Sequence, residues 1–242
     1  MQTIPRIIHQ TWKTHDIPAK WRRLQLTWRE LHPKWEYRFW TDEDIRAFID
    51  QHYSWFLPIY DAYPASISRV DSFRYFVVNH FGGVYVDLDF ECIRPIDELL
   101  DGKELVLGLE PPEHTTSPSV RTRGLDQIVC NAFLASVPGH PFWEHVFRYL
   151  VKFQQAPVLD AASVFMLTHA YMEYPNREKL SLIPSELLYP VTKEEAHNGK
   201  LTSEQIRARG AGKAFAIHYW HGSWWREAVL NAAHQRIKNS PK

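Results

Sequence analysis

The segment from Ser68 to Glu91 constrains this chain more than any other: Ser-Arg-Val-Asp-Ser-Phe-Arg-Tyr-Phe-Val-Val-Asn-His-Phe-Gly-Gly-Val-Tyr-Val-Asp-Leu-Asp-Phe-Glu. Ile67, Val70, Phe73, Val77 and Phe81 fall three or four apart and predict one apolar helical stripe. Gly82 and Gly83 end that helix, because glycine takes the left-handed cap conformation at little cost. The residues beyond alternate. Val84, Val86 and Leu88 fall on one face of a predicted strand, and Tyr85, Asp87 and Asp89 on the other. Two carboxylates therefore close an apolar strand, with Asp71 and Arg74 on the helix before it.

Two acids one strand-step apart repel each other and resist burial unless a cation lies between them. A divalent metal carrying a diphosphate would relieve this, since carboxylate oxygens suit magnesium or manganese. The bland alternative is a solvated acidic turn, and Asp-x-Asp alone is a weak signal. A second copy, Asp42-Glu43-Asp44, reads as structural. There Thr41 is placed to cap a helix whose first turn favours acids.

The chain has 242 residues, 45% of them hydrophobic, and a formal net charge of zero. That is enough for one large domain with a substantial core. Balanced charge speaks against a nucleic-acid binder working through a basic face. Cys92 and Cys130 form neither a metal spacing nor a disulfide framework. With no membrane-span-length apolar run and no signal-like start, we expect a cytoplasmic protein, with at most peripheral contact at the inner membrane face. Ten tryptophans are the compositional outlier. Their clusters, Trp12 to Trp55 and Trp220 to Trp225, could converge on one cleft, since indole faces stack on sugars and bases; each one singly reads more simply as core.

Taken in order, Ile4 to Trp12 predicts a buried strand opening into a polar loop, where open α/β sheets bind ligands. Pro18 to Leu31 is an amphipathic helix, Trp35 to Trp40 a strand, and Asp42 to about His52 a capped helix. This order predicts an α/β fold with a mixed, mainly parallel sheet flanked by helices. Leu105 to Leu109 reads as a strand, and Pro111 to Gly124 as a mobile loop forming a lid or acceptor rim. Asp126 to Ser136 is an apolar stretch in which Asn131 holds either a substrate hydroxyl or a core hydrogen bond. Helices are expected over Pro141 to Phe153 and Ala161 to Tyr171, a strand-rich connection over Leu180 to Leu188, and a short polar helix over Ser203 to Arg209. Ala214 to Trp225 reads as a late strand ending in a polar and aromatic cluster, before a basic, loosely held tail to Lys242. No linker divides the chain, so one domain over 1–242 is expected, with a donor-binding half over about 1–92 and an acceptor-side half beyond.

Four motifs in this order resemble the DXD-containing sugar transferases of glycosyltransferase family 32, itself distantly similar to the glucosylating clostridial toxins. They are Ile-Pro-Arg-Ile-Ile-His-Gln-Thr-Trp, Arg-Val-Asp-Ser-Phe-Arg-Tyr, Gly-Gly-Val-Tyr-Val-Asp-Leu-Asp and His-Tyr-Trp-His-Gly-Ser-Trp. The resemblance implies a GT-A, Rossmann-like fold, a UDP- or GDP-sugar donor, Mn2+ or Mg2+, and retention of anomeric configuration. The acceptor it implies is a saccharide or a lipid-linked hydroxyl. By position, Asp87 would contact the donor ribose and metal, and Asp89 would ligate the metal directly. Asp71, Arg74 and Tyr85 would hold the donor sugar, while Gln10, Thr11 and Trp12 would meet base and ribose. His218, Ser223 and Trp224 would close over metal and diphosphate, with His221 competing for the role of His218. Val70 and the Asp160 to Ser163 stretch depart from the family pattern and put fine donor or acceptor contacts in question.

No separate carboxylate nucleophile stands out, which favours front-face attack by the acceptor hydroxyl. Two rivals remain. A metal-dependent phosphoesterase or sugar hydrolase would use Asp87, Asp89 and His218 with a metal-bound water, but lacks the usual further ligands nearby. A non-catalytic carbohydrate-binding protein explains the tryptophans but leaves Asp71, Arg74 and the acid pair idle.

Overall fold

Residues 2–197 and 201–222 are described by the computed structural model. Their strands are β1 (Ile7–Thr11), β2 (Glu36–Trp40), β3 (Gly83–Val86), β4 (Phe90–Cys92), β5 (Leu105–Leu109), β6 (Val129–Ser136), β7 (Ser181–Ile183) and β8 (Ala216–His218). Six of them form one sheet in the order β2-β1-β3-β6-β5-β7, and β4 pairs with β8 in a second, two-stranded sheet. In the large sheet only β6 runs antiparallel to its neighbours. The mixed, mainly parallel α/β sheet expected from the element order is what the chain forms.

The period-2 alternation of the strands sorts side chains between two cores. Tyr85, Leu105, Leu107 and Leu134 pack beneath the helices Ser66–Phe81, Pro141–Lys152 and Val164–Met172. Val84, Val86, Val106 and Ala135 face the opposite layer, built from Trp28, the β4–β8 sheet and the late chain. The two glycines before β3 are required by geometry. Both have positive φ, and a Cβ on Gly83 would lie 2.6 Å from the Ile7 carbonyl oxygen. Glycine here lets the strand that carries Asp87 lie directly beside β1.

Several expected elements appear close to where they were read, including the helices Ala19–Leu31, Asp42–His52 and Pro141–Lys152. Thr41 and Asp44 form a reciprocal capping box, confirming the structural reading of the second acid pair. Other expectations are corrected. The strand carrying the acids stops at Val86, and Leu88 and Asp89 form a turn before β4. The expected helix Ala161–Tyr171 is broken into Val158–Ala161 and Val164–Met172, because Ser163 is extended. Pro111 to Gly124 is not structureless: it holds a 3-10 turn, Pro112–Thr116, and a helical turn, Pro118–Arg121. Hydroxyl-to-carbonyl bonds from Thr115 and Thr116 close that turn, and such bonds leave no hydrophobic period to read. The late strand joins the small sheet through Phe90↔His218 rather than extending the main one. Ser223, Trp224, Trp225 and the basic tail lie outside the described residues.

His9, buried on β1, donates from Nε2 to the Gly82 carbonyl (3.0 Å) and accepts at Nδ1 from the Trp40 indole (3.2 Å). This pair of bonds suits the neutral ring, and burial pushes its pKa down to about 4, with the nearby Arg38 charge acting in the same direction. Below its unfolded value the unfolded chain binds a proton that the folded chain refuses. The stability is therefore full above that value and is lost as pH falls toward about 4. His9→Gln should remove up to about 3 kcal/mol of acid sensitivity, read as a flatter denaturation midpoint between neutral pH and about pH 4.

Candidate active site

β1, β3 and β5 run parallel, and the segments that leave their carboxyl ends open from one sheet edge. Thr11 ends β1 and Trp12 follows it, Asp87 follows β3, and Glu110 follows β5. A cleft of about 1300 Å³ opens there, lined also by Asp71, Arg74, Asp89, Asn131, Ser163, His218 and His221. It lies where open α/β sheets place their ligands.

Asp87 continues the β3 ladder by one bond, from its N–H to the Ala132 carbonyl (2.9 Å). The chain then turns, closed by Phe90 N–H on the Asp87 carbonyl (3.2 Å), and this turn brings Asp89 back toward Asp87. Leu88 is taken into a small apolar cluster with Ile17, Trp21 and Leu24. The acids are thus paired by a turn rather than by strand alternation.

Three groups brace Asp87 from behind. Tyr85 donates its hydroxyl to Asp87 Oδ1 (2.8 Å) and contacts the Thr11 hydroxyl (3.2 Å). Gln10 donates to the Asp87 carbonyl (3.3 Å) and accepts from Tyr37 (2.8 Å). Gln10 and Tyr85 are fully buried, so the structure places these two expected donor contacts behind the acid pair. The third brace is Arg74, whose Nη2 bridges Asp71 (2.9 Å) and Asp87 (3.1 Å) while Nη1 donates to the Asn131 carbonyl (3.0 Å). Arg74 Nε is buried and has no described hydrogen-bond partner.

That carbonyl is available because β6 changes partner at the site. β5 pairs Leu107 with Leu134 and then jumps to Gly108 with Cys130, releasing the intervening residues. The Asn131 amide donates to the Ser163 hydroxyl (3.4 Å), and both side chains favour the Asp71 carboxylate against the push of burial. Asn131 therefore completes a buried polar network at the cleft wall, and the break at Ser163 exists to serve it.

His218 Nε2 meets Asp89 Oδ1 (3.1 Å), while the backbone N–H of His221 donates to Oδ2 (2.8 Å). The two histidines thus divide the expected role: His218 brings its ring and His221 its amide. The His221 ring packs edge-on against Trp21 at 4.6 Å. Burial pushes both acids up, and Arg74 opposes it at Asp87, yet Asp87 ends raised to about 6. At Asp89 the His218 imidazole and the His221 amide outweigh burial and hold the carboxyl well below the usual range.

Ligand atoms of Asp87, Asp89 and His218 lie within 4.8 Å of one another at the cleft wall. Two carboxylates and an imidazole fit a divalent cation, and His218 Nδ1 is a buried nitrogen without a partner, free to take the proton when Nε2 ligates. Trp220, beside His218 at 4.3 Å, has φ +52, a strained conformation for a bulky residue, held by its indole bond to the Val191 carbonyl. Trp12, Trp21 and Trp220 line the cleft, while Trp28 is core and Trp55 exposed. The tryptophan expectation holds for three residues. Glu110 and Tyr189 were not read as site residues, although Glu110 follows its strand as Asp87 follows its own.

Sheet order, ligand edge and acid pair together form a GT-A-type fold with an Asp-x-Asp pair at its cleft. Residues 18–106 match the family described as glycosyltransferase sugar-binding region containing DXD motif, which bears out the resemblance read from the motifs. The chain is 34% identical over 200 residues to inositol phosphoceramide mannosyltransferase 1 of Schizosaccharomyces pombe, covering 78% of this chain and 58% of that protein. It is 44% identical over 150 residues to inositol phosphoceramide mannosyltransferase 3 of the same organism, covering 62% and 38%. The chain thus spans about half the length of the curated relatives it matches. Among solved structures, PaToxG Glycosyltransferase superposes with a TM-score of 0.54 at 19% identity, covering 72% of this chain and 71% of that one, a likeness of fold. No helix of the described residues is long and apolar enough to cross a membrane.

Proposed function

We propose that this chain is a metal-dependent, retaining glycosyltransferase that moves a hexose, mannose first among them, from a UDP- or GDP-sugar. The acceptor is a hydroxyl on a saccharide or a lipid-linked headgroup, as the inositol phosphoceramide named for its relatives suggests. The observation that carries the reading is the convergence of Asp87, Asp89 and His218 on one point of a cleft that also holds Asp71 and Arg74.

Asp87, Asp89 and His218 would hold Mn2+ or Mg2+, which when bound supplies charge to stabilise a departing diphosphate. Asp71, fixed by Arg74, Asn131 and Ser163, presents a carboxylate edge suited to donor sugar hydroxyls. Thr11, Trp12 and Trp21 form the wall on which base and ribose rest. The acceptor oxygen attacks the anomeric carbon on the face the diphosphate leaves, and the departing phosphate oxygen takes the hydroxyl proton. Catalysis by this site is positional and electrostatic.

Thermal unfolding with UDP, GDP or UMP, with and without manganese, tests the binding. A metal-dependent rise of about 5 °C or more with one nucleoside diphosphate is the expected result. Indifference to every combination would count against the transferase. Hydrolysis of a nucleotide-sugar panel then names the donor without knowledge of the acceptor.

A further inference from the structure

Glu110 leaves the carboxyl end of β5 as Asp87 leaves that of β3, with β6 between the two strands. Two strand spacings separate their backbones by about 10 Å, room for a sugar ring between them. Glu110 lines the cleft, and its side chain is only 10% exposed. Its Oε2 accepts from His114 Nδ1 (2.7 Å). His114 Nε2 in turn accepts from the Lys193 backbone N–H (2.9 Å). A ring that donates at one nitrogen and accepts at the other is neutral, so His114 brings Glu110 a hydrogen bond and no charge. A carboxylate this enclosed, with one neutral donor, is under-solvated and suited to further donors from a ligand.

A second polar group lines the same cleft. Tyr189 is 1% exposed, and its hydroxyl has no described oxygen or nitrogen partner, lying against the Cys130 thiol. Burial pushes the Cys130 and Tyr189 groups up, and the charges of Glu110 and Asp87 act in the same direction. Gly108 makes the approach possible, because a Cβ there would sit 2.6 Å from the Tyr189 ring. Pro111, Ile128 and Val164 form the apolar wall around this end of the cleft.

We propose that Glu110, with Tyr189 on the same cleft wall, is the acceptor-contacting residue of this site, two strands along the sheet edge from the acid pair and on the face from which the diphosphate leaves. Glu110 accepts a hydrogen bond from an acceptor hydroxyl next to the attacking one, or from the second O–H of an attacking water, and so aims the attacking oxygen at the anomeric carbon. The new carbon–oxygen bond forms as the sugar–phosphate bond breaks, and the proton passes to the departing phosphate oxygen. His114 is a positioning residue that holds the carboxylate and ties the Pro112–Thr116 turn to the chain at Lys193. This assignment rests on the transferase reading above.

The test uses water as acceptor, so the natural one need not be known. Glu110→Gln keeps the size of the side chain and removes its charge. With the donor sugar that the panel identifies, its hydrolytic kcat should fall tenfold or more, with donor KM and manganese-dependent nucleoside diphosphate binding within threefold of wild type. His114→Ala should lower kcat in the same direction and by less. Unchanged kcat in a folded Glu110→Gln protein overturns the assignment, as does a tenfold loss of donor affinity at unchanged kcat. A glycosyl adduct trapped on Glu110 would also overturn it, as the carboxylate would then be a nucleophile. A wild-type chain that hydrolyses no nucleotide sugar instead sinks the transferase reading itself.

Discussion

Asp89→Asn is expected to lower turnover by on the order of 10³-fold while leaving the chain folded. The two halves of this expectation have separate causes. The fold is spared because the amide can still accept the His221 N–H at its oxygen, and its NH2 can donate to His218. That donation needs His218 to shift its proton from Nε2 to Nδ1, which is buried and has no other partner, so the cost should be about 1 kcal/mol. Turnover is not spared, because an amide removes one of two negative charges from the proposed metal ligands. The carboxylate held well below its usual range by His218 and His221 is the one that stays ionised at all working pH. Parallel kinetics and thermal unfolding of the variant check both halves. Sugar transfer at the wild-type rate would remove Asp89 from the proposed metal set.

Arg74→Met is expected to destabilise the chain by about 3–5 kcal/mol. Arg74 and Asp71 are both nearly solvent-free, and the guanidinium also pairs with Asp87 and caps the Asn131 carbonyl. Truncation leaves the buried Asp71 carboxylate and the partly buried Asp87 carboxylate without the cation between them, and each was already raised by burial. One or both must then take a proton. Asp71→Asn in the same chain should restore part of the loss, because it removes one of the orphaned charges. A urea midpoint for Arg74→Met equal to wild type would show that the network adds nothing to stability. A double variant no better than the single one would show that the loss is one of packing, not of charge.

Local sequence determined much of this domain. The three-and-four spacing before Gly82, the glycine pair and the valines after it dictate a helix that feeds a buried strand. Periodicity and caps are properties of neighbouring residues, so these elements were legible one by one, as was the Thr41 capping box. The strand–helix order sufficed for a mainly parallel sheet, and of the residues the four motifs named, Thr11, Trp12, Asp71, Arg74, Asp87, Asp89, His218 and His221 line the cleft.

Tertiary structure decided how the site is held. That Gln10 and Tyr85 stand behind Asp87 depends on β1 lying against β3. The Asn131 carbonyl reaches Arg74 because β6 leaves β5 mid-strand, and Ser163 reaches Asp71 because a helix breaks there. Glu110 became a candidate only when the strand order placed it two strands from Asp87. As for the acid pair itself, the sequence placed Asp87 and Asp89 on one face of a straight strand. The fold brought them together on a turn instead, because Leu88 buries itself against Trp21, and a residue cannot reveal in sequence which distant side chain will cover it.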